Sequence, residues 1–168
     1  MKKNIILIGM PGAGKSTVGV LLAKAMRRHF LDTDLLIQTA ENATLKDLID
    51  RHGLAGFCDI ERKYAECLDI TNAIIATGGS MVYYDSAMRH LKQNGIAVYL
   101  ELPLDGLKQR LTDVVGRGVV MEPGETLESL FIKRWQLYEK YADITIYTSG
   151  LTHEQVVGKI LEALKSRK

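Results

Sequence analysis

The stretch GMPGAGKST, Gly9 to Thr17, sets a lysine and a serine directly behind a glycine-rich turn, in the spacing G-x-x-x-x-G-K-S/T. Glycines allow successive backbone N–H groups to turn inward on an anion, and the helical pattern KSTVGVLLAKAM that follows would add the partial positive charge of a helix N-terminus. Gly12, Ala13, Gly14, Lys15, Ser16 and Thr17 are therefore expected to hold the phosphate chain of a nucleotide. Lys15 would reach the β- and γ-phosphates, and the Ser16 hydroxyl would ligate Mg²⁺, an ion that keeps most of its own waters. A plain turn feeding a helix accounts for the glycines, but it has no need of Lys15 and Ser16 together.

Other polar residues stand where apolar patterning would not put them. FLDTD ends an apolar run with Asp32 and Asp34, which strand alternation points to the same side; one carboxylate can hold the metal's waters while the other meets an acceptor hydroxyl. An aspartate at a strand end is also a common helix cap, so the phosphate loop beside it is what favours chemistry. ATGGSMV offers Gly78 and Gly79, which permit close approach of backbone to a ligand or serve a tight turn. In ETLESLFIKRWQLYEKYA helical spacing puts Leu127, Leu130, Phe131, Leu137, Tyr138 and Tyr141 on one stripe with Arg134 inside it. A guanidinium on an inward face needs a carboxylate or phosphate partner. In FCDIERKYAECL, Glu61 interrupts the stripe of Phe57, Ile60, Tyr64 and Leu68 in the same way, so either an Arg134–Glu61 pair or an anionic ligand on Arg134 satisfies the rule. Arg110 and Arg117 flank the start of a loop that contains several glycines, where one can stack on adenine and the other can neutralise a transferring phosphoryl group.

The elements that must position these groups are legible as alternation. NIILIG, FLDTD, AIIATGG, GIAVYLEL and DITIYTS are short apolar runs separated by helical patterns, which implies an α/β sandwich with a parallel sheet. Ligands in such sheets bind beyond the carboxyl ends of the strands, so three strand ends, at Gly9–Thr17, Asp32–Asp34 and Thr77–Ser80, should form one site. Two segments break the alternation: a substrate-side insertion over about 35–69, with two successive helical patterns in 44–69, and a glycine-containing lid over about 112–125.

With 168 residues the chain reads as one domain, and a monomer is expected. Its 22 Lys+Arg against 20 Asp+Glu give no overall field for nucleic acid or a membrane surface, so anion binding must be local and the partner a small anionic molecule. Cys58 and Cys67 lack metal-ligand spacing and suit a reduced interior. No apolar run approaches the roughly 20 residues of a membrane span, and Gly9 and Pro11 cut the first one short, which points to the cytoplasm. A GTPase switch is disfavoured: DRHG, Asp50 to Gly53, ends a helical pattern instead of a strand, and no N-K-x-D string follows.

Taken together these residues resemble the shikimate kinases over nearly the whole chain. GMPGAGKSTVG is similar to that family's phosphate loop, FLDTD to its magnesium-and-substrate strand, TGGS to its glycine triplet and RWQLY to its substrate-arginine signature. The resemblance implies a five-stranded parallel sheet of the P-loop NTPase, nucleoside-monophosphate-kinase-like kind, with ATP and Mg²⁺ bound. It implies phosphoryl transfer to shikimate, a step toward aromatic amino acids, with Asp34 on the substrate hydroxyls, Gly79 as the middle glycine of the triplet, Arg134 on the substrate carboxylate, Arg110 on adenine and Arg117 on the lid. The chain departs from the pattern at Cys58, where the family has an arginine, at Ser80 in place of the third glycine, at Gly118 to Val120 in the lid, and at Tyr147. These departures fall on substrate recognition, so a different polyol or sugar acid is the alternative acceptor, and a nucleotide-binding module without catalysis is the alternative from another class.

Overall fold

In the computed structural model, which describes residues 4–110 and 119–167, the five apolar runs become five parallel strands in the order β2-β3-β1-β4-β5. They are β1 (Asn4–Ile8), β2 (His29–Asp32), β3 (Ala73–Ala76), β4 (Gly95–Glu101) and β5 (Ile144–Tyr147). β1 and β3 are buried at every position, as expected of central strands covered on both faces. Among the described residues seven helices cross between or follow the strands: α1 (Lys15–Met26), α2 (Thr33–Glu41), α3 (Leu45–Glu66), α4 (Asp85–Gln93), α5 (Leu104–Arg110), α6 (Leu127–Tyr141) and α7 (His153–Lys165), with one 3-10 turn at Met81–Tyr83. The expected five-stranded parallel sandwich is the fold observed.

Register brings the chemistry to one edge. Leu7 of β1 and Asp32 of β2 both pair with Ala76 of β3, so the three strands end level and deliver Gly9, Asp32 and Thr77 to the same side. Thr77 locks that edge, its N–H and hydroxyl both donating to the Leu7 carbonyl at 3.2 and 3.1 Å.

The helical insertion is built differently from its sequence pattern in one respect. The two patterns over 44–69 run into one long α3, broken only at Gly53, whose φ of 68° and ψ of 173° no helix contains. That backbone region is essentially restricted to glycine, so the residue that ends the first pattern also sets the bend. α3 starts on a capping box in which Thr44 and Asp47 satisfy each other's backbone N–H groups. Apolar residues here form a small second core of Ile37, Leu45, Leu48 and Phe57, separate from the main core around the sheet. Among the described residues no helix is long and apolar enough to cross a membrane.

Candidate functional site

The phosphate loop leaves β1 and enters α1 through Gly14, which caps the helix in the left-handed region at φ 94°. A ligand-sized cleft of about 600 Å³ opens beside it, lined by Gly12, Gly14, Lys15, Ser16 and Thr17 of the loop. Ala13 does not line it: its methyl group is in the core and its N–H donates to the Met10 carbonyl at 3.1 Å. Lys15 is buried and donates from Nζ to the Gly9 and Met10 carbonyls at 2.8 and 2.9 Å. Burial lowers its ammonium to about 8, with Arg134 pushing the same way and Asp34 and Asp32 opposing. It is still a cation at neutral pH, held by weak partners that a phosphate oxygen can replace.

Asp32 and Asp34 come together, but not by strand alternation. β2 ends at Asp32, and Asp32 is the N-cap of α2: its Oδ1 accepts from the Asp34 and Leu35 N–H groups at 3.0 and 3.2 Å. Asp34 therefore stands in the first turn of a helix. Capping does not use up the Asp32 side chain: its Oδ2 also accepts from the Ser16 hydroxyl at 2.6 Å, which keeps it beside the phosphate loop. Ser16 and Asp32 thus offer two converging hard oxygens next to the phosphate loop, a donor set that suits Mg²⁺ with its remaining places filled by water and phosphate. Among the described residues no group of three or more His, Cys, Asp and Glu gathers as an all-protein metal cage. Asp34 lines the cleft, and burial first, then the Asp32 charge, raise its carboxyl to about 6 against the opposing Lys15.

Gly78 and Gly79 form the wall opposite the loop. The Gly78 N–H donates to Thr33 Oγ1 at 3.0 Å, and the Gly79 carbonyl accepts from the Tyr138 hydroxyl at 2.7 Å, which pins both to neighbouring helices. A Cβ on Gly78 would stand 2.7 Å from both Asp34 Oδ1 and Glu61 Oε1, and one on Gly79 would stand 2.8 Å from the Pro11 ring and 3.0 Å from Arg134 Nη1. Neither position has room for a side chain without moving a group of the site.

Arg134 is 1 % exposed, as the α6 stripe requires, and its partners are neutral: Nε donates to the Tyr83 hydroxyl at 3.2 Å and Nη2 to the Val120 carbonyl at 2.6 Å. The Tyr83 ring also lies under the guanidinium at 5.2 Å. The Arg134–Glu61 ion pair allowed by the sequence does not form. Glu61 instead accepts from the Ser80 hydroxyl at 2.5 Å and the Tyr84 hydroxyl at 3.1 Å. Burial raises its carboxyl to about 7 although those two hydrogen bonds pull it down. Arg134 therefore borders the cleft with no carboxylate paired to it among the described residues.

Arg110, at the end of α5, reaches the loop and donates weakly to the Gly12 carbonyl at 3.4 Å. Near it stands a residue that no sequence motif singles out: His153, the first residue of α7, which lines the same cleft; its Nε2 lies 3.3 Å, and Arg110 Nη1 3.9 Å, from where a Gly14 Cβ would be. Val119 and Val120 line it too, the described end of the expected lid. Arg117 and residues 112–118 of that lid lie outside the described residues. Of the departures, Ser80 lines the cleft, Cys58 is half-buried with its thiol on the Tyr84 hydroxyl, and Tyr147 is exposed at the end of β5.

This geometry has close counterparts. The family model for shikimate kinase matches residues 11–165. The shikimate kinase of Sulfurihydrogenibium sp. (strain YO3AOP1) is 34 % identical over 98 % of this chain and 99 % of its own length, and that of Thermodesulfovibrio yellowstonii is 37 % identical over 95 % and 94 %. The solved structure of shikimate kinase from Acinetobacter baumannii in complex with shikimate superposes with a TM-score of 0.91 at 34 % identity, covering 99 % of this chain and 94 % of that one. Similarity of this extent, on a phosphate loop facing an arginine and a carboxylate, shows that the chain belongs to the shikimate kinase family, small-molecule kinases that phosphorylate a hydroxyl with ATP as donor.

Proposed function

We propose that this chain phosphorylates shikimate, giving shikimate 3-phosphate and ADP, with the acceptor held between Asp34, Gly78, Gly79 and Arg134. The observation that carries this reading is the buried Arg134, whose guanidinium borders the cleft and whose partners among the described residues are neutral: tyrosine hydroxyls, a carbonyl and an aromatic face. An acid bound there places its hydroxyls toward the carboxylate across Gly78. The triphosphate lies over Gly12 to Thr17, with Arg110 against the base and Arg117 on the transferring group. The acceptor oxygen attacks the γ-phosphorus, the bond to the β–γ bridging oxygen breaks, and Asp34 takes the hydroxyl proton. Lys15 leaves its two carbonyl partners for phosphate oxygens and stabilises the charge there. Ser16 and Asp32 would hold Mg²⁺, which supplies further neutralisation of the phosphates when bound.

Cys58 stands where the resemblance expects a second arginine on the acceptor's carboxylate. Losing one charge-assisted interaction of about 1.5 to 3 kcal/mol makes binding roughly ten- to hundredfold weaker, so the acceptor's identity needs a direct comparison. ADP release should be measured with ATP, magnesium and a panel of hydroxylated acids and polyols. Shikimate should give the highest kcat/KM. A higher value for a different polyol or sugar acid transfers the assignment to it, and ATP binding without turnover of any acceptor makes the chain a non-catalytic nucleotide module.

A further inference from the structure

Glu61 is the one fully buried carboxyl among the described residues, at 1 % exposure, and the transfer described above does not use it. Both of its hydrogen-bond donors, Ser80 and Tyr84, are neutral, and Tyr84 is bonded in turn to the Cys58 thiol. None of the ion pairs among the described residues includes Glu61. Its other oxygen, Oε1, and Asp34 Oδ1 each lie 2.7 Å from where a Gly78 Cβ would be, and both residues line the cleft with Arg134. The charged groups facing it are Asp34 from α2 and Arg134 from α6; Lys15 of α1 lines the same cleft but is bonded to loop carbonyls.

We propose that Glu61 determines how strongly the cleft binds an anionic acceptor: ionised, it works against Arg134 and weakens the acid, and protonated between Ser80 and Tyr84 it leaves the Arg134 charge unopposed. This rests on the reading of the acceptor as an acid held by Arg134. Ser80 and Tyr84 can hold either form of the carboxyl, because a hydroxyl donates to a carboxylate and accepts from a carboxylic acid. A cation in their place would fix the ionised form; these two do not. Burial outweighs both hydrogen bonds and brings the exchange between forms to about 7.

An anion entering the cleft then favours the protonated form, so its affinity falls as pH rises through that value. A charge at this range in a partly water-filled cleft is worth roughly three- to tenfold in binding. Shikimate binding should be titrated calorimetrically at about pH 6 and about pH 8, without turnover, on the full chain and on Glu61→Gln, which keeps the size and both hydrogen bonds of the side chain. The wild-type dissociation constant should rise about three- to tenfold between the two pH values, while Glu61→Gln loses most of that rise, keeping only the part due to Asp34 and Lys15, and ATP affinity at each pH is equal in the two proteins. The primary amide of shikimate, which carries no charge, should show no such change. Ser80→Gly removes a hydrogen bond that favours the ionised form, so it should move the midpoint upward, and this readout stands even if Glu61→Gln does not fold. An unchanged pH dependence in Glu61→Gln, the same dependence for the amide, or an unmoved midpoint in Ser80→Gly overturns the inference and leaves the proposed function standing. Failure of wild-type protein to bind shikimate at any pH overturns both.

Discussion

At Asp34 two demands meet, and their balance shows in the carboxyl's shift. In the proposed transfer the base must be ionised yet basic enough to draw the hydroxyl proton, and burial, with the Asp32 charge beside it, moves Asp34 to about 6, toward the working range. Asp34→Asn keeps the size and the α2 turn while removing the base, so kcat should fall by about 10² to 10⁴ with KM for ATP unchanged in steady-state assays. A loss under tenfold would reduce Asp34 to an orienting group. Glu61 makes a second, independent prediction about stability. Its folded-state value of about 7 lies above its ordinary 4.5, so the native chain holds this proton more tightly than the unfolded chain does. The contribution is therefore full below about 4.5 and is lost as pH rises through about 7. Glu61→Gln cannot ionise and should gain on the wild type by on the order of 2 to 3 kcal/mol between about pH 5 and pH 8, read from urea unfolding at each pH. An equal difference at both pH values would show that the carboxyl does not titrate across folding.

Among the elements, α3 carries the least regular backbone and stands closest to the acceptor. Its Gly53 has open space where a Cβ would be, so replacing it tests backbone conformation alone. Gly53→Ala should lower unfolding free energy by about 1 to 3 kcal/mol through the cost of φ 68° and ψ 173°, visible as a lower urea midpoint. If the helix straightens to avoid that cost, Phe57 and Glu61 shift, and KM for the acceptor rises while KM for ATP does not. Neither change appearing would mean that the bend has no role. The helical patterns on both sides of this glycine were readable because their apolar spacing is local, as were the phosphate loop and the inward Arg134. The relation of Asp32 to Asp34 was not, because a capping aspartate ends a strand and starts a helix in one residue, and alternation cannot register the switch. The partners of Glu61 were hidden for a different reason. Its place on an apolar stripe signalled a buried polar group, but Ser80 and Tyr84 approach from 19 and 23 residues away, with nothing in the local string to favour them over Arg134. His153 had no local signal at all, since only the docking of α7 beside α1 brings it to Gly14.

On the proposed function, the two cores of the molecule would serve the two ligands separately. The nucleotide side rests on β1, α1 and the large core around the sheet, whereas the acceptor wall rests on the four buried residues Ile37, Leu45, Leu48 and Phe57 with a few partly buried neighbours. Stabilisation scales with apolar area removed from water, so the smaller core should open at lower free energy than the sheet. This arrangement suits a kinase: the triphosphate meets a rigid cradle, while the wall that must admit and release the acceptor opens without unfolding the cradle. Native-state hydrogen exchange should therefore find the α3 amides less protected than those of β1 and β3. Shikimate should slow exchange in α3 by an amount that follows the ratio of its concentration to its dissociation constant, about 2.7 kcal/mol at a hundredfold excess. ATP alone should protect the loop and the start of α1 and leave most of α3 unchanged. If α3 is as protected as β1 without any ligand, the acceptor wall is part of the rigid cradle, and entry of the acceptor must depend on residues outside that helix.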